Sequence, residues 1–261
     1  MGAIWLVDLA DIVNDAGIAC RTWKGWETRS RKSGGYEQLW AVFVHHTASN
    51  ASPDNDCRYM WENATDRPIG ALYLARDGTV TVGAAGATNT QGKGGPCKTS
   101  KGTIPADQGN TYGLAVEAAN AGTGEAWPTV QQDTYLTLCA ALCAAYGLNV
   151  ATDICSHWEW TPGRKIDPAG NSRYATGGAS WDMNRFRADV AACSSTKPPE
   201  PDEGDTVTDD DIDRIAQAIW TYKLKDEVGG SMAPAGDHLR LARRDAHQAA
   251  VGTKEIDKQV D

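Results

Sequence analysis

Apolar residues recur every three or four positions in several stretches of the chain, the spacing that places them on one face of an α-helix. Leu6, Leu9 and Val13 form the first such stripe, which Gly17 would end. The same spacing predicts three further helices, at residues 55–64, 131–146 and 181–192.

Short runs of β-branched and aromatic residues predict strands between these helices. Residues 40–44 are apolar on both faces, as expected of an interior strand, and residues 112–119 are similar. A hairpin is predicted at residues 72–82, with its turn at Arg76-Asp77-Gly78. A long exposed loop is predicted at residues 86–107. Strands that alternate with helices predict an α/β layer architecture.

The composition changes after residue 194. Residues 195–206 are rich in proline and acidic residues, which is typical of a semi-rigid linker. Residues 207–261 follow, with a capping-box pattern at Thr208 and Asp211 and an apolar helical stripe from Ile212 to Tyr222. Because this region has few large apolar residues, its own core would be marginal. It is therefore expected to pair with a copy of itself, with the main domain or with a ligand.

The overall composition excludes two classes of protein. A net charge of -9 argues against a nucleic-acid footprint, which needs a clustered basic surface. No apolar run reaches the roughly 18 residues of a membrane span. The first residues are acidic and lack the positive start of a signal peptide, so the chain is expected to be made and kept in the cytoplasm.

The seven cysteines match no zinc-ribbon spacing. An odd count without a secretion signal predicts free thiols, most of them buried. Cys155 lies two residues before His157 and could compete as a metal ligand if a strand continued through both residues.

Two histidine-containing segments carry candidate chemistry. His45-His46 closes an apolar run, and His157 is followed by Lys165 and Asp167. One imidazole of the pair, with His157 and Asp167, would give two nitrogen ligands and one oxygen ligand, the usual set for a catalytic zinc ion. Strand alternation does not decide between His45 and His46, because Phe43 and Val44 are both apolar. A lone histidine in such a strand is more often a hydrogen-bonded residue of the core than a metal ligand.

Glu117 places a charge in an otherwise apolar predicted strand. A buried carboxylate needs a partner or undergoes an upward pKa shift. Two interpretations stay open: a general acid-base, or one half of a structural salt bridge.

Four segments in order, at residues 43–48, 75–80, 116–120 and 157–168, resemble the type-2 N-acetylmuramoyl-L-alanine amidases. That family includes many phage endolysins and is related to the peptidoglycan recognition proteins. The resemblance runs from about Leu9 to Ala191. It implies a mixed β-sheet flanked by helices, as the catalytic domain at residues 1–194, followed by the linker (195–206) and a small helical C-terminal region (207–261).

The resemblance also implies roles for particular residues. His45, His157 and Asp167 would bind Zn²⁺, Glu117 would be the acid-base, and Lys165 would stabilise the oxyanion. Trp158 or Trp160 is expected to line the substrate groove. Some relatives place a tyrosine where this chain has Gly70, and the nearby Tyr73 is expected to face the other side of its strand. A histidine common in relatives is absent from residues 89–92.

These features predict a phage-type endolysin that hydrolyses the amide bond between N-acetylmuramic acid and L-alanine in bacterial peptidoglycan. The enzyme would reach the wall from the host cytoplasm with the help of a separate membrane-permeabilising partner. The C-terminal region would self-associate or bind the wall. Two alternatives are a non-catalytic peptidoglycan-binding protein and a zinc peptidase that cuts within the stem peptide. The intact ligand set argues against the first, and spacing does not exclude the second.

Overall fold

The computed structural model describes residues 3–32 and 34–195. The described part contains eight strands: β1 (Cys20–Thr22), β2 (Ala41–His46), β3 (Leu72–Leu74), β4 (Val80–Val82), β5 (Cys97–Thr99), β6 (Gly102–Ile104), β7 (Gly113–Ala118) and β8 (Ile154–Ser156). It also contains seven α-helices: α1 (Leu9–Asp15), α2 (Pro53–Arg58), α3 (Gly109–Tyr112), α4 (Thr129–Ala145), α5 (Val150–Asp153), α6 (His157–Trp160) and α7 (Met183–Ser195). A π-helical turn at Tyr59–Asn63 extends α2.

The last predicted helix, at residues 181–192, corresponds to α7, whose described part runs from Met183 to Ser195. The rest of the predicted linker (195–206) and the whole predicted C-terminal helical region (207–261) lie outside the described residues.

Six strands form one mixed sheet in the order β1-β4-β3-β7-β2-β8. The strand β2 lies in its interior, parallel to β7 on one side and to β8 on the other. The hairpin β3–β4 is antiparallel, as its sequence predicts, and β3 pairs with β7 in parallel. The predicted mixed sheet flanked by helices is confirmed.

The strands β2 and β7 are buried at every position, so their side chains, which alternate between the two faces of the sheet, pack on both sides. Val44 and Val116 belong to the main core, which the sheet shares with α1, α4 and α7. On the opposite face, Phe43 packs against Trp160 with ring centroids 5.6 Å apart. His45 lies two positions beyond Phe43 and therefore on that second face, at the carboxyl end of the strand.

The segment at residues 86–107 was predicted to be an exposed loop, but it begins with buried residues and contains two short strands. Ala87 and Gln91 have no exposed surface, and β5 and β6 form a separate two-stranded antiparallel sheet. The glycines of this segment serve close packing: a Cβ at Gly94 or Gly95 would lie within 2.6 Å of Trp160. At Gly94 and Gly95, glycine therefore permits close packing on a large side chain.

Within the described residues, none of the helices has both the length and the hydropathy needed to cross a membrane.

Candidate metal centre

His45, His157 and Asp167, which are far apart in sequence, meet in one buried cluster. The Nδ1 atom of His45 lies 3.0 Å from His157 Nδ1 and 3.0 Å from Asp167 Oδ2. His157 Nδ1 is also 3.0 Å from that oxygen. One potential ligand atom from each of the three residues therefore points to a common centre.

Backbone contacts fix the position of His45. Its N–H donates to the hydroxyl of Tyr135 on α4 at 2.9 Å, and this hydroxyl lies 3.1 Å from the carbonyl oxygens of His45 and Val116. The hydroxyl lies buried against the end of β2 and its neighbour β7. A single helix residue therefore holds the strand end that presents the imidazole.

A capping box positions His157 at the start of α6. Ser156 Oγ accepts the N–H of Glu159, and the Glu159 carboxylate accepts the N–H of Ser156 at 3.0 Å. Arg187 on α7 donates to the same carboxylate at 3.0 Å. Asp167 is attached to this helix by a hydrogen bond from Trp158 N–H to its carbonyl, 3.1 Å long.

The protonation pattern suits a cation at this centre. The carbonyl of Gln91 can only accept, so His157 Nε2, 3.2 Å away, carries the hydrogen. In the neutral ring Nδ1 then has a lone pair that faces the Asp167 carboxylate, a repulsion that a cation would remove. A carbonyl partner on the far nitrogen is the usual second contact of a metal-binding histidine.

The pKa shifts of these residues and the distances between their ligand atoms also indicate a metal site. Burial lowers the pKa of His45 to about 4, with the nearby His157 contributing, although the bond to Asp167 opposes the shift. Burial alone would raise the pKa of Asp167, but the two neighbouring histidines hold that pKa below its usual value. Neutral imidazole and ionised carboxylate are the forms that bind metal. A tetrahedral zinc ion separates its ligand atoms by roughly 3.3 Å, close to the observed spacing.

His46 is not part of the cluster. Its Nδ1 accepts the N–H of Ala169 at 3.1 Å, and its ring lies against Gly122, where a Cβ would come within 2.2 Å of Nε2. Neighbouring residues of a strand face opposite ways, so only one histidine of the pair can reach the centre. Cys155, the other candidate ligand, packs against the side chains around Phe43 and is also absent from the cluster, because β8 ends at Ser156.

Glu117 lies beside His45, since the two residues are register partners on β7 and β2. It is 8% exposed, and its Oε2 has no hydrogen-bond partner among the described residues. Burial raises the pKa of its carboxyl well above the usual value; repulsion from Asp167 adds to the shift and Lys165 opposes it. No ion pair to Glu117 occurs within residues 3–32 and 34–195, which argues against a structural salt bridge.

A cavity of about 640 Å³ opens beside the cluster. Glu117, Lys165 and Asp167 line it, together with His157 and several residues between His46 and Met60. The positive charge of Lys165 influences the pKa of both His45 and Glu117, so the lysine shares the electrostatic environment of the centre. The structure therefore brings all five predicted metal and catalytic residues to one place.

The structure does not bring the two predicted substrate-binding tryptophans to this cavity. Trp160 has no exposed surface and packs on Phe43, so it cannot contact a substrate. Trp158 lines a different cavity, of about 430 Å³, with Trp181 and Arg187. The helix α6 turns both rings away from Asp167, which the sequence order alone did not indicate.

Tyr73 faces the same side of the sheet as Glu117, contrary to prediction. It is the register partner of Glu117 on β3, and its hydroxyl donates to Asp56 at 3.1 Å. The prediction assumed that side chains alternate along an extended strand from Gly70 to Tyr73. It fails because Gly70 has a φ of +64°, which interrupts the extended backbone. A Cβ at Gly70 would lie 3.0 Å from Glu117 Cγ, so the missing side chain makes room for the glutamate.

Asp56 is a cavity residue that the sequence did not single out. It is 5% exposed and contributes to the raised pKa of Glu117. The sequence does contain one sign that Asp56 is buried. It lies four residues before Met60 in a predicted helix, a spacing that places both residues on the same, buried side.

A family model of N-acetylmuramoyl-L-alanine amidases matches residues 35–170. No curated protein sequence matches the chain. Several solved structures are similar to it. LysCS, an endolysin N-acetylmuramoyl-L-alanine amidase from Clostridium intestinale URNW, is 16% identical, with a TM-score of 0.43 over 66% of this chain and 95% of its own.

The hydrolase AmiA of Staphylococcus aureus, solved with its ligand, is 13% identical, with a TM-score of 0.47 over 72% of this chain and 90% of its own. A selenomethionine derivative of AmpD is 18% identical, with a TM-score of 0.45 over 64% of this chain and 96% of its own.

Proposed function

The chain belongs to the N-acetylmuramoyl-L-alanine amidase family, and we propose that it hydrolyses peptidoglycan with a zinc ion held by His45, His157 and Asp167. The observation that carries this proposal is the convergence of three buried ligand atoms beside a cavity that Glu117 also lines. The bond cleaved joins the lactyl carbonyl of N-acetylmuramic acid to the nitrogen of L-alanine.

The residues around the cavity have different roles in the proposed reaction. When bound, a zinc ion supplies Lewis acidity, which polarises a carbonyl group and lowers the pKa of water. Glu117 accepts the proton of the attacking water and delivers it to the departing nitrogen. Its raised pKa favours a carboxyl that can hold this proton between the two transfers. Lys165 places a positive charge near the carbonyl oxygen, where negative charge develops.

We further propose that the enzyme is a phage-type endolysin. The support is the order of its sequence segments and the proline-rich, acidic stretch at residues 197–204, which separates the amidase region from a C-terminal region of different composition. Synthesis in the host cytoplasm, self-association through the C-terminal region and release by a membrane-permeabilising partner belong to the same proposal.

Metal content tests the ligand set. The full chain should contain about one zinc ion, and His45→Ala, His157→Ala or Asp167→Ala should lose metal and activity together. His46→Asn is the matched control, because an asparagine oxygen can still accept the N–H of Ala169 while leaving the centre untouched. Full zinc in His45→Ala together with loss of zinc in His46→Asn would refute this ligand assignment.

A further inference from the structure

Two cysteines distant in sequence come into contact next to the metal centre. Cys97 lies on β5 of the small sheet and Cys155 on β8, the edge strand of the main sheet. Both residues are free thiols that pack in one apolar cluster, and each shifts the pKa of the other. Cys97 also packs against the apolar cluster that contains Phe43 and Trp160.

The surrounding hydrogen bonds hold the two strands together at this contact. Asp153, directly before β8, accepts the N–H and the hydroxyl of Ser100, each at 2.6 Å. On the other side, the N–H of Gly95 donates to the carbonyl of Trp160 at 2.7 Å. Because hydrogen bonds hold both flanks, the placement of Cys97 beside the strand of Cys155 is part of the fold.

The two thiols differ in accessibility. Cys97 is partly exposed, whereas Cys155 is 4% exposed. The neighbouring Cys155 lowers the pKa of Cys97, although burial of Cys97 opposes this shift. A reachable thiol with a lowered pKa reacts first with a disulfide reagent, and a neighbouring buried thiol can then resolve the mixed disulfide.

The other cysteines with resolved surroundings lack this arrangement. Cys57, Cys139 and Cys143 are buried, and burial raises the pKa of each thiol. Cys139 and Cys143 lie one turn apart on α4, where they point along a single helix face. Cys20 is partly exposed like Cys97 and serves below as its control.

We propose that Cys97 and Cys155 form a reversible disulfide when a small-molecule disulfide oxidant is present. The Cys97 thiolate attacks the oxidant, one thiolate leaves, and a mixed disulfide forms on Cys97. The sulfur of Cys155 then attacks Cys97, gives up its proton to solvent and releases the second thiol. In sum, two protein thiols are oxidised and one external disulfide is reduced to two thiols.

The bond would fasten the small sheet to the edge strand that leads into His157. The residues just before β5 include Gln91, whose carbonyl contacts His157 Nε2, and Gly94 and Gly95, which pack on Trp160. The three ligand atoms of the cluster are not touched. Oxidation would therefore stabilise the wall of the site without changing its chemistry, and this holds whatever bond the enzyme cleaves.

The test uses the full chain, equilibrated with either reduced or oxidised glutathione and then alkylated. In the oxidised sample, peptide mapping should find Cys97 joined to Cys155 and two fewer free thiols. The melting temperature should rise by about 5–10 °C on oxidation, because the bond closes a long loop. Returning the sample to reduced glutathione should reverse both changes.

Two serine variants make the outcome decisive. In Cys97→Ser the oxidative gain in melting temperature should vanish, whereas Cys20→Ser should behave like the wild type. Both variants should keep wild-type amidase activity when reduced. Free Cys97 and Cys155 in the fully oxidised wild type, or a gain that persists in Cys97→Ser, would overturn the proposal.

Discussion

Glu117 is held on a strand where no residue described in the protein forms an ion pair with it. Its Oε2 is buried without a hydrogen-bond partner, and Gly70 leaves space directly against its Cγ. Such an arrangement costs stability and therefore needs a functional reason. The glutamate was predictable because a charge in an apolar strand is conspicuous. The orientation of Tyr73 was not, because the left-handed backbone at Gly70 leaves no signal in a period-two count.

Replacing Glu117 by glutamine should separate catalysis from folding. Glu117→Gln keeps the shape and touches no metal ligand, so zinc content and melting temperature should stay near those of the wild type. Turnover should fall by about 10²–10⁴, the usual cost of losing a positioned acid-base group. Binding of soluble muropeptide should change far less, since the lost interaction acts in the transition state.

The exposed Glu27→Gln is the matched control and should keep full turnover. Wild-type turnover in Glu117→Gln with zinc retained would remove Glu117 from the mechanism. A collapsed melting temperature would instead show that its charge is structural.

At the scale of elements, strands and long helices were predictable, and the connections between them were not. The strand β2 and the helix α4 carry clear periodic patterns, and the structure confirms both. The segment at residues 86–107 reads as exposed because it is rich in glycine, yet Trp160 covers part of it. Which histidine of the pair reaches the cluster likewise depends on the register of three strands, which no local pattern contains.

The helix α4 should contribute to the site through Tyr135. Tyr135→Phe removes the acceptor for the N–H of His45 and leaves that buried group unsatisfied. The free energy of unfolding should fall by about 1–3 kcal/mol, measured by chemical denaturation. Tyr59→Phe, at an exposed tyrosine, is the control and should leave the stability unchanged. Equal stability of Tyr135→Phe and the wild type would show that another group satisfies the strand end.

At the scale of the whole molecule, the composition predicts a boundary near residue 195, where the chain becomes rich in proline and acidic residues. A boundary of this kind is visible in sequence because a proline-rich, acidic stretch cannot continue a packed core. The role of the C-terminal region stays a prediction. A helical stripe of apolar residues indicates that this helix face is covered, but it does not identify the partner that covers it.

Removing residues 196–261 tests that role. A chain ending at Ser195 should still hydrolyse soluble muropeptides, because the cluster and its cavity lie in the retained part. On intact cell walls it should be less active than the full chain, or it should differ in oligomeric state, since a second attachment raises the effective concentration of enzyme at the wall. Identical wall activity and identical mass in solution would refute both roles proposed for the region.

The bond that is cleaved is the most direct test of the function. Purified peptidoglycan should be digested with the full chain and the soluble products analysed by mass spectrometry, with Glu117→Gln as the inactive control. The predicted products are stem peptides with a free L-alanine amino terminus and glycan strands whose lactyl groups end in a carboxylate. New amino termini inside the stem, with the lactyl amide intact, would contradict the account and identify a peptidase.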